Sequence, residues 1–527
     1  MIERHRGSLA AVVMTTLVAV ACNAAASPSP AGTTATSPGS STEPSAPAAT
    51  DQRFVWATYE TVDSAFAMET DDTYILSQGG IGEMLTETGF DGTLQPGLAS
   101  EWERTGDVTW EFTLREGVTF HDGTPFDAEA VAAALTHVLG AEAPARSFNP
   151  NTFASVEATG DNVVTITTTS PNALVPFYLA SPNTIILAAK AYEGDTIDPI
   201  QAGTGPFVMT SMNLPQSVTL DRNEDYWDGP VALAGAELRF IPDGGTRATL
   251  LQTGEAHAGN SLPIAAIPTL EADGNLVVVR GAQPRTNSLY INNQKAPLND
   301  VRVRQAIQAA IDTDAIANVI LEGAVEPAIG PFAPTAAWAP AGAQPIARDL
   351  DKARSLLADA GIAEGSLTLG LWAYPGRPEL PDVAVAIQGM LAEVGINAEV
   401  RVADYAALEP DVLAGNFDMM LLSRSYLTDI NDPAGYLRSD YTCEGSYNLS
   451  HFCDEEVDGQ LEEVLVNEEP DARYAVYSQL ATKFHEEAID VYLYHPQAIG
   501  ANSSRLQNYQ FHPMEHFVLT KDLNLSE

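Results

Sequence analysis

Basic residues are scarce in this chain of 527 residues, where 26 Lys and Arg stand against 70 Asp and Glu for a formal net charge of -44. That balance excludes nucleic acid as a partner, because affinity for polyphosphate rests on clustered cations that neutralise it. Catalytic signatures are missing too: there is no Gly-x-Ser-x-Gly elbow, no His-Glu-x-x-His zinc helix, no phosphate loop and no kinase-type motif. Gly203-Thr204-Gly205 lacks the later glycine and following helix of a dinucleotide loop and reads as a turn. His485-Glu486-Glu487 has no second histidine four residues on and reads as a polar helix face. The nine histidines are scattered, and His512 and His516, beside Pro513, read as packing rather than as metal ligands. No cofactor is implied, and there is no internal repeat. With 70 carboxylates some acidic pair must be close by chance, so a glycosidase is not excluded, but nothing supports one.

The longest apolar run near the start, Gly7 to Ala21, is too short to span a bilayer comfortably and follows Arg4 and Arg6, which is the pattern of an export signal. It ends Ala19-Val20-Ala21-Cys22, which resembles a bacterial lipobox with Ala where Leu is usual. Residues 1-22 are therefore read as a lipoprotein signal peptide, with Cys22 lipidated; cleavage after Ala21 without lipidation is the alternative. Residues 23-51 are almost entirely Ala, Ser, Thr, Pro and Gly, cannot bury a core and read as a disordered tether. Its mean reach is about 30 Å. The expected location is outside the cell's cytoplasm, anchored by lipid to the outer face of the cytoplasmic membrane. In an exported chain the two remaining cysteines, Cys443 and Cys453, form a disulfide rather than a metal pair, since no third ligand is nearby.

What is abundant is core material: 45% of residues are hydrophobic and 8% aromatic, so most of the chain folds, and its length suggests two to four structural units. Alternation at Val108, Trp110, Phe112 and Leu114 predicts a strand. Acidic caps at Asp127, Asp300, Asp349 and Asp382 open helices, the last two ending at Gly361 and Gly395. Short strands at 367-371, 398-402 and 419-422 give the second half βαβ character.

Several stretches, in order, resemble the extracellular solute-binding proteins of family 5, the peptide and nickel receptors of ABC importers. They are LQPGLASEWE (94-103), WEFTLREGVTFHDGTPFDAEAV (110-131), GTGPF (203-207), LDRNEDYWDGP (220-230), APLNDVRVRQAIQAAID (296-312) and LDKARSLLADAGI (350-362). SYLTDINDPAGYLRSDYTCEGSYNLSHFCDEEVD (425-458) is most similar to the dipeptide-binding subgroup. The resemblance implies an α/β fold: a two-lobed periplasmic-binding-protein clamshell of the class II or cluster C type, with three subdomains and a hinge. Lobe I would span 52-284 with a small subdomain inserted at about 89-184, lobe II 285-494, and residues 495-527 would return to lobe I. The protein would be a monomeric receptor and not an enzyme, its partners a short peptide and the permease subunits.

The resemblance also carries site roles. Asp429, before an Asp-Pro turn, would bind the ligand's ammonium; Arg377, in WAYPGRP, its carboxylate. Cys443 and Cys453 match cysteines that are disulfide-linked in the subgroup. His257 stands where the family usually has Asp, and Tyr426 where the subgroup has Trp. Trp372, Tyr374 and Tyr426 could pack on a ligand or in the core. Asp429 could equally cap a turn and Arg377 form a surface ion pair. Physically, a receptor for peptides of many sequences must grip the charged ends they share. Other readings are a same-family receptor for oligosaccharide or chelated nickel, an exported hydrolase, or a surface lipoprotein that binds partner proteins.

Overall fold

The computed structural model describes residues 51-345, 347-377, 379-427 and 430-526. Cys22, the tether except Asp51, and Asp429 lie outside the described residues. Local chemistry explains most helix starts. Asp127 accepts a hydrogen bond from the Ala130 amide at 2.9 Å and opens Ala128–Leu139, whose Val131, Leu135 and Val138 are buried. Asp300 caps Val301–Ala310 and Asp349 caps Leu350–Asp359 in the same way. The fourth helix differs from expectation: Leu380–Ala392 begins ahead of Asp382, with Pro381 in its first turn. Proline needs no amide partner there, and Asp382 then faces the positive helix end instead of capping it.

The main sheet has 12 strands. Its order along the main path is Ile396–Val402, Leu367–Ala373, Met419–Ser425, Arg285–Ile291, Asp490–Ser503, Ala258–Gly259, Arg53–Thr58, Gly235–Phe240, Ser217–Arg222 and Phe207–Asn213. Leu367–Ala373 lies parallel to both Ile396–Val402 and Met419–Ser425, the βαβ arrangement expected of the second half. Arg53–Thr58 is parallel to Gly235–Phe240 and Ala258–Gly259. A separate antiparallel sheet of four strands, with Thr109–Leu114 inside it, backs onto the helix Ala128–Leu139.

Asp490–Ser503 joins the two halves of the main sheet. Its first residues pair with Arg285–Ile291, and its last with Leu276–Ala282. Gln283 and Pro284 connect those two partner strands, and the Gln283 amide donates to Pro496 O at 3.3 Å. Two chain crossings therefore run side by side, which is the hinge of a two-lobed clamshell. Separate apolar cores fill the halves: one around Phe54, Trp56, Phe207 and Leu238, another around Leu289, Ile307, Leu371 and Ile387.

The halves also touch outside the main sheet. The Ala173 amide donates to Leu465 O at 2.7 Å, Arg104 pairs with Glu468 at 3.2 Å, and the Arg473 guanidinium lies 5.1 Å over the Phe177 ring. Gly203 and Gly205 belong to an irregular segment pressed against Gly80 and Ile81: a Cβ on Gly203 would lie 1.8 Å from Ile81 O. Close backbone approach, not phosphate binding, explains these glycines. His512 and His516 are buried with stacked rings 5.4 Å apart, and His512 Nε2 lies 2.7 Å from Thr88 O, so both pack as the sequence suggests.

Candidate functional site

In an open α/β sheet, ligands bind beyond the carboxyl ends of the strands. Here Arg53–Thr58 runs into Tyr59, Glu60 and Thr61, Ala258–Gly259 into Ser261, Leu367–Ala373 into Arg377, and Met419–Ser425 into Leu427. All of these residues line one cavity of about 800 Å³. Gln283 and Pro284 of the crossing and Pro513, Met514 and Glu515 of the C-terminal segment complete its wall. The volume lies within the range of small-molecule sites, roughly 300 to 1,000 Å³.

The cavity's charge is not that of the chain. Arg146, Arg285, Arg377 and Arg424 line it, although the protein has only 26 basic residues. Glu60, Asp63, Asp71, Asp72 and Glu515 line it from the half that carries the N-terminal strand. Several of these are already engaged. Asp71 pairs with Arg146 at 2.6 Å. Asp72 accepts the amides of Asp63, Ser64 and Phe66. Arg424 makes a two-point pair with the buried Asp440, both contacts at 2.7 Å, and lies 4.4 Å over the Tyr447 ring.

Four further lining charges, Glu60, Glu515, Arg285 and Arg377, have no ion-pair partner among the described residues, and neither have Asp63 and Asp72. Burial lowers the Arg285 pKa to about 10, with Arg377 adding to the effect. Its Nη1 donates to Ser423 O at 2.9 Å. Burial raises Glu60 to about 7, with Glu515 and Asp71 pushing the same way against a hydrogen bond from Gln78. Glu515 is likewise raised by burial, against Gln283 and Arg285. The Tyr59 phenol senses all four: burial, Glu60 and Glu515 raise it, while Arg377 and Arg285 lower it. One small space therefore holds separated charges of both signs, an arrangement suited to a zwitterion.

Of the residues singled out in the sequence, Arg377 lines the cavity. Asp429 lies outside the described residues, two positions beyond the cavity-lining Leu427. The three aromatics are not among the residues that line the cavity, although Tyr374 is near enough to Arg285 to act on its charge. Tyr426 is 4% exposed, takes the Ala333 amide on its hydroxyl at 3.4 Å and meets Phe332 edge-on, within an apolar core. Trp372 lies beside Arg401, its register partner on the next strand, with the guanidinium 4.5 Å over its ring. Tyr374 packs edge-on against Tyr405. Cross-strand and core contacts occupy these rings. Cys443 and Cys453 form a disulfide. Glu60, Glu515 and Arg285 were not legible as site residues: they belong to no motif and are joined only by the fold. His257, the departure from Asp, accepts the Val55 amide on Nδ1 at 3.0 Å and lies away from the cavity.

Residues 93–448 match the family described as bacterial extracellular solute-binding proteins, family 5 Middle. Di/tripeptide-binding protein 2 of Pseudomonas aeruginosa is 26% identical over 454 residues, spanning 80% of this chain and 85% of its own. Heme-binding protein A of Haemophilus influenzae is 28% identical over 455 residues, spanning 79% and 81%. Among solved structures, the nickel ABC transporter protein of Bacillus halodurans superposes with a TM-score of 0.82 at 28% identity, over 90% of this chain and all of that one. Sequence match, superposition and a charged cavity at the strand ends agree: the chain belongs to the bacterial extracellular solute-binding proteins of family 5, receptors of ABC transport and not enzymes.

Proposed function

We propose that this receptor captures short peptides, dipeptides or oligopeptides, between two closing lobes and delivers them to an ABC permease. The observation that carries the reading is the cavity of about 800 Å³ lined by two guanidiniums, Arg285 and Arg377, that have no ion-pair partner among the described residues. In a chain of net charge -44, arginines left without an anion mark a place that an anion is meant to occupy. A peptide supplies one at its C-terminus. Arg377 with Arg285 would take that carboxylate, and Asp429 the ammonium, so that only the ends common to all peptides are gripped. Lobe I would comprise residues 52-284 and 495-527, with its insert at about 89-184, and lobe II 285-494; the paired crossings at Gln283-Pro284 and Tyr494-Gln497 support that division. Cys22 would carry the lipid that holds the receptor at the membrane. Native mass spectrometry of protein purified without added ligand tests the cargo. Co-purifying masses that fragment as short peptides are expected; a homogeneous non-peptide mass would refute the reading.

A further inference from the structure

The peptide reading accounts for the arginines of the cavity and leaves two of its carboxylates without a role. Glu60 and Glu515 are 455 positions apart in sequence yet adjacent in space: the Gln78 side-chain amide donates to Glu60 Oε1 at 2.9 Å and to the Glu515 carbonyl at 3.0 Å. Glu60 is half-buried as a residue, but its Oε2 is closed to solvent and has no hydrogen-bond partner among the described residues. Glu515 is held with a left-handed backbone, φ 55°, a costly conformation for a residue with a side chain. Neither carboxylate has an ion-pair partner among the described residues. A half-buried carboxylate in the cavity wall with no counter-ion is expensive, and a cation brought into the cavity by the cargo would offset that charge.

The α-ammonium of a peptide is one candidate cation, but Asp429 answers for it in the end-gripping scheme. A cargo with a second positive charge fits the remaining pair. We propose that Glu60 and Glu515 form a side-chain subsite for a basic residue, so that the receptor favours peptides containing lysine or a similar cation over neutral ones. This rests on the peptide reading above and narrows it. The groups facing Glu60 are Tyr59, Asp71 and Glu515 from its own lobe, with Gln78 as the neutral donor; Arg285 and Arg377 act on Tyr59, and Arg285 and the Gln283 side chain act on Glu515. With its pKa raised to about 7, Glu60 is partly protonated in the empty site and would release a proton when a cation binds.

Calorimetry of Ala-Lys and Lys-Ala against Ala-norleucine and norleucine-Ala tests this, because norleucine keeps the alkyl stem and lacks the charge. The wild type should bind at least one lysyl peptide about ten- to hundred-fold more tightly than its norleucyl counterpart, the value of a charge-assisted hydrogen bond. In Glu60→Gln with Glu515→Gln that preference should vanish while norleucyl affinity holds. Titration at pH 7 in buffers of different ionisation enthalpy should show release of about half a proton with the lysyl peptide only. Equal wild-type affinities for lysyl and norleucyl peptides would overturn the subsite, as would a preference that survives both substitutions. If both peptides bind equally, the peptide reading stands and only the subsite falls; if none of the four binds, the peptide reading itself fails.

Discussion

Replacing Arg377 by Ala is the most informative single change in the cavity. The side chain has no hydrogen-bond or ion-pair partner among the described residues, so its loss should leave the ligand-free protein within about 0.5 kcal/mol of wild-type stability. Stability could even rise a little, since Arg377 helps to lower the pKa of the buried Arg285 and its removal relieves that repulsion. Binding should change far more. Truncating one partner of a desolvated charge pair costs roughly 2 to 5 kcal/mol, about thirty-fold to several thousand-fold in affinity. Arg285 remains to share the ligand carboxylate, although its Nη1 is committed to Ser423 O, so the lower part of that range is expected. The assay is calorimetry of a dipeptide and its C-terminal amide against wild type and variant. Amidation removes the same carboxylate, so its penalty should shrink at least about tenfold in Arg377→Ala. Asp429→Ala supplies the control: N-acetylation should lose its effect there while amidation keeps it. If amidation costs the variant as much as the wild type, Arg377 does not bind the carboxylate and end-gripping is refuted.

Asp490 is buried, accepting from Ser450 Oγ at 2.7 Å and Tyr441 Oη at 3.0 Å, and burial raises its pKa to about 7. A carboxyl raised above its unfolded value stabilises the fold fully below about pH 4 and loses that contribution as pH rises through about 7. Chemical denaturation of Asp490→Asn should therefore lack a pH-dependent loss on the order of 2 to 4 kcal/mol over that interval; parallel curves for variant and wild type would contradict it. Replacing Cys443 and Cys453 together by Ser should lower stability by roughly 2 to 3 kcal/mol, the loop-closure value for so short a ring, as read by urea unfolding. Cys22→Ala should shift the protein from membranes to the medium, and unchanged fractionation would exclude the lipid anchor. Saturating dipeptide should reduce the radius of gyration in X-ray scattering; binding with no compaction would argue for a rigid pocket.

The architecture was largely legible in the sequence because helix caps and apolar alternation are local signals. Asp127, Asp300 and Asp349 cap where their side chains can reach an amide two or three residues on. Asp382 misled because a capping residue and a favourable first-turn acid share one chemistry, and only the position of Pro381 separates them. The site was legible where a strand end carries a motif, as at Arg377. It was hidden where charges converge through topology: Glu60, Arg285 and Glu515 come from three separate stretches, and no spacing links them. The aromatics, open in the sequence between ligand and core, have ring partners within the protein. Trp372 lies within the strand that feeds the cavity and Tyr374 follows it directly, yet Arg401 opposite Trp372 and Tyr405 beside Tyr374 engage their rings.

The two chain crossings at Gln283-Pro284 and Tyr494-Gln497 differ mechanically from a single flexible linker. One linker lets two bodies swivel and twist about any direction. Two adjacent strands held to each other by hydrogen bonds resist both torsion and splaying, and leave bending about one line as the soft movement. Lobe motion should then reduce to one angle, with every separation across the cavity rising and falling together. A single donor-acceptor dye pair placed on the rims would report the whole of that movement, and two pairs placed far apart should give proportional signals at every ligand concentration.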